Sequence, residues 1–319
     1  MKKKKKERQK KQHYVPKCYL KAWIDPAIPR HVNGQNIWVL DQDGQNPKQQ
    51  SPRSTFTEEE MYTLTASNGE RDLRLEHGLG TIESQFGAIR TSKFNFRRQL
   101  THEEWGWVRL FAATLHLRTA ATRNHMLGAF QQLKKMVEDV AQPEWWDETE
   151  VPEQPQDKNV YYPRPGDFDN MKEDVTQILL QTAAKHIVPR LASMHATVLC
   201  TEHPIGFVTT DAPSTWFDPG AYRLPPLQRG VGLNNIDIEI TLPLSPKQCL
   251  IFSYRDIWGS PYVDVSDDVV NVINHRHIAY APTSIVAAKS ELDPAWLKRL
   301  SPPPDSWEAL HSEEEDVAV

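Results

Sequence analysis

The sequence predicts an α+β fold in which long amphipathic helices pack with a small, mainly antiparallel sheet. Apolar side chains recur every three or four residues in long stretches of the first half, which is typical of amphipathic helices. Short apolar or alternating runs, bounded by turn residues, recur in the second half and indicate strands. With 319 residues, of which 39% are hydrophobic, the chain is also large enough to bury a substantial core.

The first helices are predicted from residue spacing and capping signals. Residues 16–24 place aromatic and aliphatic side chains at helical spacing and form a short helix. A longer helix begins at Leu73 and carries one apolar stripe. Thr101 and Glu104 have the separation of a capping box, so we expect one long helix to begin there and to continue to about Lys135.

Two more helices are predicted in the second half. One begins at about Asp167, and Pro189 should kink or end it, because proline has no N–H to donate. The last begins at Ser266, where Asp267 and Asp268 suit the positive end of the helix dipole.

The predicted strands are short, and two consecutive ones should form a hairpin through His203-Pro204-Ile205. A strand at 238–242 alternates polar and apolar residues, so we expect it to be half-buried. Gly44 can supply the positive φ of a turn that ends the first strand. The six predicted ranges are 37–40, 61–64, 195–201, 206–210, 238–242 and 249–253.

Changes in composition along the chain predict its organisation. Five prolines within residues 142–166 mark a linker or an excursion from regular structure. Residues 13–300 as a whole are also compatible with one composite domain. The predicted segments are a disordered basic arm at 1–12, a mainly helical part at 13–141, the proline-rich segment at 142–166, an α+β part at 167–300 and a loose acidic tail at 301–319.

The charge is divided unevenly between the arm and the rest of the chain. The first twelve residues carry eight Lys or Arg and one Glu, whereas the whole chain has a formal net charge of −5. The body is therefore acidic, and any attraction to nucleic acid would come from the Lys2–Lys11 arm. Tyr14, Tyr19 and Trp23 follow the arm and could stack on bases. A solvated tail without a ligand is the alternative.

The cysteines and the apolar runs indicate a cytoplasmic protein. Cys18, Cys200 and Cys249 lie far apart in apolar stretches, as expected for reduced thiols rather than disulfides. Charges and prolines follow the basic arm closely, so a signal peptide is not expected. No stretch has the roughly 20 apolar residues that cross a bilayer, which leaves only peripheral attachment through the arm.

Arg118 is the first candidate functional residue, because it continues the apolar stripe of its helix. A buried, unpaired charge would cost several kcal/mol, so a carboxylate or an anionic ligand should accompany it. The candidate carboxylates are Glu76, Glu83 and Asp211, and the first two lie two turns apart on nearly one helix face. They could bind a metal, or they could only orient Arg118.

Asp211 follows an apolar strand and precedes Ala212-Pro213, where the chain leaves extended structure. A carboxylate at a strand end could face a cleft and bind a metal, or it could close an Asx turn. His13 is the candidate acid or base, since it adjoins the basic arm. Asn271 and Asn274, at positions i and i+3 of the last helix, are candidates for substrate binding, with bonds to loop backbone as the structural alternative.

No phosphate-binding loop, zinc motif or nucleophile elbow is present, but the order of the motifs resembles the bacterial domain of unknown function family 4238. The departures are Leu115 and Ala120, where the family often has Gln and Pro around the arginine, and Thr210, where it tends to have Ser. The matching segments are His13-Tyr14-Val15-Pro16, Leu75-Glu76 with Ile82-Glu83, Arg118-Thr119, Thr209-Thr210-Asp211-Ala212-Pro213, and Asn271 with Asn274. The resemblance implies a mixed α and β fold that gathers these residues into one polar site, in a bacterial or phage-borne protein with a role in stress or defence.

The leading functional hypothesis is a metal-dependent phosphodiester hydrolase that resembles a nuclease. In it, His13 is the acid or base, Arg118 contacts phosphate, and Glu76, Glu83 and Asp211 bind Mg²⁺ or Mn²⁺. One alternative is a non-enzymatic sensor or interaction protein in which the polar cluster is structural and a protein partner or oligomer is bound. Another is an enzyme that acts on a small nucleotide without help from the arm.

Overall fold

The computed structural model describes residues 11–24, 35–59, 61, 64–65, 71–140, 175, 178–218 and 232–298. Within these ranges it confirms the predicted α+β fold. The predicted linker at 142–166 and the acidic tail at 301–319 lie outside the described residues. None of the helices formed by the described ranges is long and apolar enough to span a membrane.

The helices match most of the sequence signals. The predicted helix at 16–24 is α1, which a 3₁₀ turn at Lys21–Trp23 continues, and the capping box of Thr101 with Glu104 starts α3. A π-helical turn at Ala183–Ile187 precedes α5, so the chain stays helical through Pro189. The helices are α1 Lys17–Leu20, α2 Arg74–Ser92, α3 His102–Leu117, α4 Ala120–Val140, α5 Val188–Ala192 and α6 Asp267–Ala279.

The long helix predicted from residue 101 to 135 is wrong, because two helices occupy this range. Arg118 is the C-cap of α3, with φ −89° and ψ 1°, rather than a residue on a helical stripe. The hydroxyl of Thr119 accepts a hydrogen bond from the Thr122 N–H at 3.2 Å, as an N-cap side chain does at the start of α4. Thus Arg118 lies at a corner between two helices.

The strands form two larger sheets and two short ribbons. One sheet has the order β12-β7-β11-β10-β9 and the other has the order β3-β2-β13-β8. The ribbons pair β1 with β4 and β5 with β6, and every pairing is antiparallel except that of β12 with β7. The strands are β1 Lys11–His13, β2 Ile37–Asp41, β3 Lys48–Gln50, β4 Thr57–Glu59, β5 Leu64–Thr65, β6 Arg71–Asp72, β7 His195–Cys200, β8 Thr209–Thr210, β9 Thr215–Phe217, β10 Glu239–Ser245, β11 Gln248–Ser253, β12 Tyr262–Asp264 and β13 Ser284–Ala287.

Three strand predictions need correction. Lys11 and Gln12 were assigned to the disordered arm, but they form β1. The predicted hairpin is absent, since β7 pairs with β11 and β12 whereas β8 pairs with β13 in the other sheet. The strand predicted to be half-buried is β10, and its five central residues are buried because it lies between β11 and β9.

The main core joins the first residues of the fold to the second half of the chain. Tyr19 is fully buried, and its hydroxyl lies 2.8 Å from Thr209 Oγ1 and donates to the Pro243 carbonyl at 2.7 Å. The Trp23 indole N–H donates to the Phe207 carbonyl at 3.0 Å. Because each large buried side chain contributes about 1.5–3 kcal/mol, these aromatic residues hold α1, and hence the His13 segment before it, firmly in place.

Candidate functional site

An open cleft of about 580 Å³ lies between β1 and α2. Its lining includes the predicted residues His13, Glu76 and Glu83, together with Lys11 and Gln12. Glu76 and Glu83 reach the same cleft because seven residues make two turns of α2, which places them on nearly one face. The structure therefore brings together three of the residues that the sequence singled out.

His13 lies in the cleft wall at the end of β1. Its Nε2 is 3.1 Å from the Pro52 carbonyl oxygen. Burial lowers the pKa of His13 below the ordinary value of 6.5, while the Pro52 carbonyl and the negative charge of Glu83 oppose that shift. The imidazole is therefore mainly neutral at pH 7, which suits a group that accepts a proton.

Arg118 lies behind the cleft rather than in its lining. It is 2% exposed, its Nη1 donates to Glu83 Oε1 at 2.9 Å, and its Nε donates to the Tyr14 carbonyl at 2.9 Å. Glu83, whose side chain is 26% exposed, is thus held between the guanidinium and the cleft. Burial of this degree does not fit the predicted direct contact of Arg118 with substrate, whereas it fits a residue that positions Glu83.

Glu76 has a different support. The amide of Gln12, which is 3% exposed, donates from Nε2 to Glu76 Oε2 at 3.0 Å. Gln12 was not predicted as a site residue, because a polar residue at the end of a predicted disordered arm gives no signal of burial. Both cleft carboxylates are therefore oriented by a buried donor.

Asp211 is not in the cleft. Its carboxylate accepts hydrogen bonds from the Thr283 hydroxyl at 2.7 Å, the Thr283 N–H at 3.3 Å and the Ser284 N–H at 3.2 Å. Burial raises the pKa of Asp211 above 3.8, and these hydrogen bonds oppose the rise. The carboxylate thus ties the end of β8 to the start of β13, and the Thr210 hydroxyl closes the following turn by accepting from the Ala212 N–H at 3.1 Å.

The two asparagines of α6 have their amide groups in structural bonds. Asn274 is fully buried, and it accepts from the Val208 N–H at 3.0 Å and donates to the Gly206 carbonyl at 2.9 Å. Asn271 accepts from the Trp296 indole N–H at 2.8 Å. These contacts agree with the structural alternative and not with the predicted substrate binding.

The predicted metal ligands are therefore not gathered into one site. Glu76 and Glu83 line the cleft, whereas the Asp211 carboxylate is bonded to Thr283 and Ser284. Across the described part of the chain, no three His, Cys, Asp or Glu side chains are placed to hold a metal ion together. A metal in this cleft could take only Glu76 and Glu83 from the predicted set.

Two histidines that were not predicted as site residues have lowered pKa values, and of these His277 is buried and His116 is half-buried. His277 is fully buried between the hydroxyls of Thr215 and Thr241, at 2.9 and 3.0 Å, and burial lowers its pKa to about 3. Burial also lowers the pKa of His116 to about 4. The sequence held no local signal for either environment, because their neighbours come from distant strands.

A protein-family model matches most of the chain. Residues 11–291 match the family model described as "Protein of unknown function (DUF4238)". No curated protein and no solved structure matches the chain.

Proposed function

The chain belongs to the DUF4238 family, as the order of its motifs predicts, and from the geometry of its cleft we propose that it hydrolyses phosphodiesters in the manner of a nuclease. The observation that carries this proposal is the placement of a mainly neutral histidine, His13, beside the oriented carboxylates Glu76 and Glu83 in one open cleft. This combination is suited to proton transfer.

In the proposed reaction His13 accepts a proton from the attacking water, whose oxygen forms a bond to phosphorus. The P–O bond to the leaving oxygen breaks, and that oxygen takes a proton from solvent, so the products are a phosphomonoester and a free hydroxyl. Arg118 acts as a positioning residue, since it is bonded to both Glu83 and the backbone carbonyl next to His13. Because Glu83 balances its charge, the positive charge that attracts an anionic substrate must come from the arm and from a bound metal ion.

Glu76 and Glu83 are the proposed ligands of Mg²⁺ or Mn²⁺. Proteins often hold Mg²⁺ through one or two carboxylates, with water and substrate phosphates completing the coordination. A bound ion would supply positive charge to the phosphate and lower the pKa of a bound water. Asp211 has no part in this proposal.

The charge of the basic arm favours a polyanionic substrate. Lys11 lines the cleft, and the residues directly before it in sequence include seven Lys or Arg. Attachment at the cleft rim would raise the local concentration of a nucleic acid. We therefore expect the proposed nuclease to act on long strands. The proposal also takes the protein to be bacterial or phage-borne and cytoplasmic.

The test is cleavage of fluorescently labelled single- and double-stranded DNA and RNA, each with Mg²⁺, Mn²⁺ or EDTA. His13→Gln should lower turnover at least about hundredfold, the usual scale of acid–base catalysis, with little change in melting temperature. His195→Gln is the matched control, because His195 is an exposed histidine on β7, outside the cleft. Equal turnover in the two variants would reject the role of His13.

Deletion of residues 2–10 separates long from small substrates. It keeps β1, and a nuclease should then cleave a 30-nucleotide strand more slowly. The difference from the full chain should be largest at low salt and should shrink toward physiological salt, because ions screen the charges of the arm. Turnover of a small substrate, bis(p-nitrophenyl) phosphate, should not change. An unchanged rate on the long strand at every salt concentration would contradict the role of the arm.

The second candidate function is a non-enzymatic sensor or interaction protein. The observation that favours it is the burial of Arg118, Asp211 and Asn274, whose hydrogen bonds join separate elements of the fold. A sensor or interaction protein would need no metal and would turn over none of the substrates above. This function would be supported if the His13→Gln variant bound a protein partner as tightly as the unmodified chain does.

A further inference from the structure

A second cavity, of about 180 Å³, lies where α3 meets α4 and where the chain continues after Asp211. Residues that line it include His116, Thr119, Ala212, Trp216 and Tyr280. It shares none of the described lining residues of the cleft. Two of the motif segments, Arg118-Thr119 and Asp211-Ala212-Pro213, border this cavity rather than the cleft.

The imidazole of His116 is fixed on two sides. One face stacks on the Trp216 ring, with centroids 4.0 Å apart and planes 11° from parallel. Nδ1 lies 3.4 Å from the Ser214 carbonyl oxygen. Because a carbonyl only accepts hydrogen bonds, Nδ1 carries the hydrogen and Nε2 carries a lone pair.

The threonine and serine hydroxyls of the cavity wall are already hydrogen-bonded. The Thr119 hydroxyl donates to Thr122 Oγ1 at 2.9 Å, and the Thr122 hydroxyl donates to the His116 carbonyl at 3.0 Å. Nε2 of His116, by contrast, makes no hydrogen bond within the ranges that the structure describes. The cavity therefore offers mainly apolar walls, with this nitrogen as a hydrogen-bond acceptor.

We propose that this cavity is a binding site, separate from the cleft, for a small uncharged aromatic ring that carries a hydrogen-bond donor. Its size decides the class of ligand, because a cavity of about 150 Å³ in another protein holds benzene. The donor of the ligand bonds to Nε2 of His116, and the ring packs against the apolar wall. This proposal does not depend on the hydrolase activity.

Phenol and benzene are the probes that test the site, because they have nearly the same shape and only phenol has a donor. Binding to the full chain is measured by ligand-observed NMR and by the structure of a crystal soaked with phenol. His116→Phe keeps the stacking on Trp216 and removes the acceptor. It should weaken phenol about three- to tenfold, the effect of one neutral hydrogen bond, and leave benzene unchanged.

Ala212→Leu is the second variant, and its larger side chain should fill the cavity and abolish binding of both probes. Benzene binding to His116→Phe also shows that this variant remains folded. Absence of saturable binding of either probe to the unmodified chain would overturn the site. Equal loss of phenol and benzene in His116→Phe would overturn the role of Nε2. Uracil as a third probe distinguishes a nucleobase-like ligand from a phenol-like one.

Discussion

The cleft and the junction where α6 meets β8 and β9 contain the same kinds of residue. These residues differ in how exposed they are and in how completely they are hydrogen-bonded. In the cleft, His13 and Glu83 are partly exposed, and each keeps one side toward the open volume. At the junction, Asp211, Asn274 and His277 are 5% exposed or less, and other parts of the chain contact their polar atoms. Residue type and motif order alone therefore do not separate a reactive site from a structural one, whereas exposure and saturation of hydrogen bonds do.

Arg118 tests this comparison most severely, because it is as buried as the junction residues but pairs with a carboxylate of the cleft. Glu83→Gln leaves the buried guanidinium of Arg118 without its carboxylate partner. This change should lower the free energy of unfolding by about 2–4 kcal/mol. Arg118→Met should cost less, because Glu83 is 26% exposed and can be hydrated. Urea denaturation measures both values.

Glu202→Gln is the matched control for that experiment. Glu202 pairs with Lys247 at 2.8 Å, but its side chain is 88% exposed, so its loss should have no measurable effect on stability. A larger loss for Arg118→Met than for Glu83→Gln would mean that burial of the guanidinium is not what makes this pair important.

Asn274 has an expected effect on stability of the same size. Asn274→Ala leaves the Val208 N–H and the Gly206 carbonyl buried without their partner, which should lower the free energy of unfolding by about 2–4 kcal/mol. Asn271→Ala, which removes one bond to Trp296, should cost about 1 kcal/mol. Loss of activity in Asn274→Ala without loss of stability would return this residue to the functional site.

Stability should also depend on pH through His116 and His277. The unfolded chain protonates its histidines near pH 6.5, whereas burial keeps His116 and His277 neutral in the folded chain to about pH 4 and 3. The unfolded state then binds more protons, so stability should fall as pH falls from about 6.5, by at most about 1.4 kcal/mol per pH unit for each histidine. The raised pKa of Asp211 acts in the opposite direction at lower pH, because the folded state takes up that proton first.

Urea denaturation at pH 7.5, 6.5, 5.5 and 4.5 measures this slope. His116→Phe should remove its share of the slope, whereas His195→Gln should leave the slope unchanged, because His195 is exposed. An unchanged slope in His116→Phe would show that His116 is not one of its sources.

The parts of the fold that depend on neighbouring residues could be predicted from the sequence. The capping box of Thr101 and Glu104 fixed the start of α3, and Ser266 with two aspartates marked the start of α6. The break at Arg118 was missed because apolar spacing continues across it, although Thr119 is a suitable N-cap. The local signal was present but the periodicity was stronger.

The features that depend on distant residues could not be predicted in the same way. Gly206 has φ +77°, and a side chain there would lie 2.0 Å from the Pro246 carbonyl oxygen. This close approach, together with Asn274, directs the chain away from β7 and prevents the expected hairpin. In the site, a carboxylate partner of Arg118 was predicted, with Glu76, Glu83 and Asp211 as candidates. The partners of Asp211 itself lie 72 and 73 residues away and gave no signal.

The hydrogen bonds of Tyr19 and Trp23 also have a consequence for how the protein is made. Tyr19 meets Thr209 across 190 residues of sequence and Pro243 across 224. At about 5–20 residues per second, a ribosome needs roughly 10–40 s between the synthesis of Tyr19 and that of its first partner. During this interval Tyr19 and Trp23 lack their native hydrogen-bond partners and the second half of their core, so the nascent chain is a natural client for a chaperone that covers exposed apolar segments.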